Sequence, residues 1–273
     1  MVIPKRFRFI LFLILSVFTA CVSAPDFEKI TGKEPFAQRH YTFTVLLIPE
    51  YFNKSPRLEL AMSLLEMDRL GGKAEFLYEI LYKTESLDAY KDKVIREQRD
   101  IARMNITKQD LEEEKLPGYH LRHVERFNAN NIQQSGIIVE RTFETYLGDA
   151  HGRETKRYYV IDLEEPKLIK VDDLFSDFQG VAVREVVYAE LRKYGGLEEG
   201  RPLSEGIFFK DEPELSFNFF LTPQGLGLHW DPHQIAPFSE GLIEVIVPWR
   251  SIRPLMLRSG IELLTKFGIN LLV

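Results

Sequence analysis

Cysteine is nearly missing from this chain. Cys21 is the only one among 273 residues, so an internal disulfide and a Cys-x-x-Cys metal or redox site are both excluded. Positive charge is also in short supply. Lys and Arg number 35 against 41 Asp and Glu, a net charge of −6, which argues against nucleic acid or an anionic membrane surface as a partner. The apolar run Phe9–Phe18, broken by Ser16, is ten residues long, whereas a membrane-spanning helix needs about 20. No HExxH, GxSxG, GxxxxGK[ST] or GxGxxG motif occurs, and there is no internal repeat or low-complexity stretch. What is present is an ordinary globular composition: 45% hydrophobic, 28% charged and 12% aromatic residues exclude collagen-like and disordered classes.

Residues 1–20 have the form of an export signal: Lys5, Arg6 and Arg8, then the apolar run, then small Thr19 and Ala20. Phe18-Thr19-Ala20-Cys21 resembles a bacterial lipoprotein box, with Phe18 where an aliphatic residue is usual. That resemblance implies a lipidated Cys21, carrying palmitate or a similar acyl chain, as the mature N-terminus on a bacterial envelope membrane. Cleavage after Val22-Ser23-Ala24 would instead leave Pro25 first, a poor substrate. Past residue 20 the chain carries 32 basic and 41 acidic residues, a balance suited to a basic partner.

Beyond the signal, residues 21–40 read as a polar tether. The mature chain reads as α+β, with two subdomains at 41–135 and 136–257, each an antiparallel sheet with packed helices, and a C-terminal tail at 258–273. In the first, Tyr41–Ile48 is a strand. Leu58–Leu70 is expected to be a helix stopped by Gly71-Gly72, and Lys83–Met104 a charged helix with a stripe of Leu87, Tyr90, Val94 and Ile101. Strands follow at 119–127, 137–146 and 158–163, then a helix at 181–194. A hairpin spans 215–230, turning at Thr222-Pro223-Gln224-Gly225. A last strand lies at 243–247 and a short helix at 251–257.

Three stretches resemble the extracellular domain of RsiV-type anti-sigma factors, a module that also accompanies a peptidoglycan deacetylase. They are Glu144–Gly152, Tyr159–Phe175, and Phe220-Leu221-Thr222 continuing through Asp231–Gly241, together covering about 136–255. Asp149 replaces a turn glycine of that family, and His233 and Phe238 replace tyrosines. The resemblance implies a binding module whose partner is lysozyme, a small basic protein, or cell-wall glycan. It implies no anti-sigma role, for no cytoplasmic segment is present to hold a sigma factor.

The candidate binding residues are Asp149 and His151 in one loop and Asp231 and His233 in the other. His151 reads either as a lock on its turn or as a surface contact. His229, Asp231 and His233 share one face only if the strand continues through them, and Pro232 rules out a helix. Two His and one Asp without further ligands do not make a metal site, so no metal or cofactor is expected. The competing reading is a cell-wall glycan hydrolase or deacetylase acting through residues 229–233. Metal analysis of the purified protein separates it from a non-catalytic module.

Overall fold

A computed structural model describes residues 36–47, 55–104, 120–133, 135–146 and 152–272. All of them lie in one unit spanning Lys33–Val273. Cys21, Asp149 and His151 fall outside the described residues. The α+β class is as expected: the chain forms a six-stranded sheet, a three-stranded sheet and several helices.

The large sheet takes its strands in chain order, β1 (Ala37–Leu46), β2 (Arg57–Glu66), β3 (His120–Gln133), β4 (Gly136–Tyr146), β5 (Arg153–Asp162) and β6 (Lys167–Ile169). Two sequence expectations fail here, and they fail together. The segment expected as a helix at 58–70 is strand β2, with Leu58, Leu60, Met62 and Leu64 buried on alternate positions. Leu, Ala, Met and Glu favour helix intrinsically, but burial of the period-two face outweighs that weak preference. Between β2 and β3 lie α1 (Ala74–Tyr82) and α2 (Leu87–Met104), so the chain returns along the sheet and β3 runs parallel to β2. The sheet is therefore mixed, not antiparallel throughout. Strands β3 and β4, on either side of residue 135, are paired neighbours, so the two halves share this sheet.

Strand parity divides the sheet's side chains between two cores. Ile137, Val139 and Ile161 point to one face with Phe127 of β3, where α1 and α2 cover them with Tyr82 and Tyr90. Ile138 and Val160 point to the other. There they meet α3 (Val181–Tyr194) and the small sheet of β7 (Phe219–Leu221), β8 (Gly225–Trp230) and β9 (Ile243–Pro248), in the order β7-β8-β9. Val183, Val187 and Leu191 bury α3 as its pattern predicts, but Tyr194 is half-exposed, as is Ile101 on α2. The hairpin turn is held by Thr222, whose Oγ1 accepts from the Gly225 amide at 2.9 Å.

The C-terminal segment is not a loose tail. After the short α4 (Trp249–Ile252) comes α5 (Arg258–Lys266), and Leu264, Phe267, Ile269 and Leu271 are buried in the second core. Gly260 brings α5 against the Leu174 backbone, which lies 2.8 Å from where a Cβ would stand. Among the described residues no helix is long and apolar enough to cross a membrane.

Candidate functional site: a polar clasp and its flanking cleft

On the second face, the alternation that buries Ile138 and Val160 also places Glu140, Lys156 and Tyr158 toward the small sheet. They meet His229 on β8 and Glu244 on β9, which are register partners. Glu244 Oε1 accepts from the Tyr158 hydroxyl at 2.9 Å, from Lys156 Nζ at 3.2 Å and from His229 Nδ1 at 3.0 Å. The other imidazole nitrogen, Nε2, donates to Asp231 Oδ1 at 3.0 Å. Asp231 Oδ1 also accepts the Lys156 amide at 2.9 Å, and Asn218 exchanges hydrogen bonds with the backbone of Lys156 and Tyr158. The cluster pins the small sheet to β5.

Its electrostatics follow from this bonding. Burial disfavours a charged His229, but the bonds to Asp231 and Glu244 outweigh it and raise its pKa above the ordinary value. Burial likewise opposes ionisation of Glu244, yet His229, Lys156 and Tyr158 bring its carboxyl down to about 2. Asp231 is lowered for the same reasons, chiefly through His229 and the Lys156 amide acting against burial. With its side chain fully buried and both ring nitrogens committed to carboxylates, His229 has neither a lone pair for a metal nor an approach for a substrate. The arrangement is a fastening.

Asp231 and His233, paired in the sequence reading, part company. Strand β8 ends at Trp230. A turn closed by Asp231 and Gln234 then puts His233 in the left-handed region at φ 69°, its ring edge-on to Phe209 at 5.2 Å. His229 joins Asp231, and His233 stands apart on the surface. Among the described residues no group of three His, Cys, Asp or Glu side chains is placed to hold a metal ion.

The loop from Asp231 to Gly241 contributes to two concavities. A groove of about 760 Å³ includes Asp231, Gln234, Phe209 and the well-exposed Phe217. A cleft of about 400 Å³ is lined by Pro232, Phe238 and Gly241 from this loop and by Leu242 just after it. Tyr146 and Gly152, the residues that flank segment 147–151, line the same cleft, with Arg122 and Arg153 beside them. The described ends of both loops that the sequence marks as contacts therefore meet in one depression.

The sequence reading missed a third group of polar residues. On the first face of the large sheet, under α1 and α2, His123 and Glu125 are buried beside Arg141. Arg141 Nε donates to Glu125 Oε1 at 2.5 Å and the Tyr90 hydroxyl donates to the same oxygen at 2.7 Å. Burial opposes the charge on Glu125, but His123, Arg141 and Tyr90 outweigh it and keep the carboxyl below its usual range. The available signal was parity: Leu121, His123, Glu125 and Phe127 alternate on one face of a strand, which puts two ionisable groups between two buried apolar ones.

Fold and site define an α+β protein in which buried polar residues fasten two sheets together and Tyr146 and Gly152 line a cleft with Pro232 and Phe238. Within it, residues 172–250 match the family described as "Protein of unknown function (DUF3298)", inside the stretch where the sequence resemblance was placed. A crystal structure of a DUF3298-family member from Bacteroides fragilis is similar over 86% of this chain and 96% of that one, at 15% identity and TM-score 0.65. One from Pseudomonas aeruginosa PAO1 is similar over 83% and 97%, at 14% identity and TM-score 0.53. At such identity the likeness is one of fold. No curated protein matches the chain significantly.

Proposed function

We propose that the protein is a non-catalytic binding module of a bacterial cell envelope, tethered by a lipid on Cys21, which presents the 400 Å³ cleft to its partner. The observation that carries this reading is the convergence of Tyr146 and Gly152 with Pro232 and Phe238 in that cleft. Half-exposed aromatics beside arginines are the residue types that anchor protein interfaces. The full engagement of His229 speaks against the competing hydrolase or deacetylase, since a general base needs a free lone pair within reach of its substrate.

The partner in this reading is a small basic protein of the lysozyme type, an idea that rests on the RsiV-type resemblance. The acidic balance of the chain supports it by speeding encounter with a cation. Titration calorimetry with lysozyme at low and raised salt tests the reading. Saturable binding that weakens with salt, and by about tenfold or more in Phe238→Ala, is expected. No binding at either salt removes the basic-protein partner.

A further inference from the structure

The Glu125 group was left without a role, and it is not a closed network. His123 and Glu125 have side chains 1% and 0% exposed. Yet both imidazole nitrogens, Glu125 Oε2 and Gln98 Oε1 find no hydrogen-bond partner among the described residues. His123 Nε2 and Glu125 Oε2 lie 3.8 Å apart, near enough to attract as charges but beyond a hydrogen bond. A buried polar atom left unmatched gives up its hydration with nothing in return, so four in one place demand an explanation. The clasp on the opposite face of the same sheet shows the contrast: there both nitrogens of the buried histidine are bonded.

All three residues line a cavity of about 520 Å³ between the sheet and the two helices, within the range of small-ligand sites. The chemistry of its wall selects the occupant. Glu125 Oε2 and Gln98 Oε1 call for donors, and the two ring nitrogens of His123 call for polar partners of their own. An anion would meet the free carboxylate oxygen. A cation would meet Arg141, which already holds Glu125 and whose guanidinium is boxed by Phe127 and Phe143. The lining carries both signs in near balance, Glu79, Glu97 and Glu125 against Lys83, Lys93, Arg141 and Arg157, so neither an anion nor a cation is strongly favoured. Hydroxyl groups, each both donor and acceptor, fit the unpaired atoms. Phe143, edge-on to His123 at 4.7 Å, and Tyr159 offer apolar surface for C–H faces.

We propose that this cavity binds a small, neutral, polyhydroxylated molecule of sugar size, hydrogen-bonded by Glu125, His123 and Gln98. It lies on the opposite face of the sheet from the cleft, so either proposal can fail without the other. The test is nuclear magnetic resonance of the full chain, reading the His123 ring nitrogens during titration with D-glucose, N-acetyl-D-glucosamine and trehalose at millimolar levels. At least one sugar is expected to shift the His123 signals saturably. Gln98→Leu should weaken that sugar by about tenfold, the loss of one buried hydrogen bond, and Phe238→Ala should leave it unchanged. Circular dichroism establishes that Gln98→Leu folds, and the titration of the unaltered chain stands without it. Failure of all three sugars to move His123 overturns the proposal, as does a shift that Gln98→Leu leaves unaltered in a folded protein.

Discussion

A histidine between two carboxylates makes the stability of this protein depend on pH in a stated direction. Because the pKa of His229 is raised when folded, its contribution is complete below the ordinary value of 6.5 and is lost as pH rises through the folded value. Glu244 works the other way: its contribution is present above 4.5 and is lost as pH falls toward about 2. The clasp is therefore strongest between 4.5 and 6.5. His229→Gln should lower stability there by about 1–3 kcal/mol, the cost of leaving buried partners unmatched. The penalty should shrink above neutrality, which chemical denaturation at several pH values will show. The sequence placed His229 and Asp231 close together, and the structure joins them. It could not show Glu244 or Lys156 as partners, because those contacts arise from the meeting of two sheets distant in sequence.

Among the elements, those with one strong period were legible and those with competing periods were not. Helix α3 and strand β9 show clear patterns and lie where expected. In Arg57–Glu66 the apolar residues satisfy a helical spacing and an alternating one equally, and only the long-range pairing to β1 and β3 decides. A substitution separates the two: Leu60→Lys, buried on the core face, should abolish folding, whereas Glu59→Lys on the exposed face should be tolerated. Helix α5 was missed because Gly260 interrupts its pattern. That glycine is required by the Leu174 backbone at 2.8 Å. Gly260→Ala gains about 1 kcal/mol of helix propensity but forces a backbone shift, and overpacking costs about 1–3 kcal/mol. Net destabilisation is expected, read as a lowered thermal midpoint.

At the scale of the molecule, one sheet separates two cores and gives each face its own polar group. The C-terminal residues belong to this plan. Deleting residues 258–273 removes Leu264, Phe267, Ile269 and Leu271 from the second core. Each large buried side chain is worth about 2–5 kcal/mol against a total stability of about 5–15 kcal/mol. The shortened chain should lose its cooperative unfolding transition in a thermal melt. The proposed binding to a protein partner is assigned to the cleft lined by Tyr146, Gly152, Pro232 and Phe238. Hydrogen-exchange footprinting of the complex with lysozyme tests that claim most directly. The account predicts new protection at Arg122, Tyr146 and residues 232–242, around the cleft. Protection confined to α1 and α2 on the other face, or none at any residue, would contradict it.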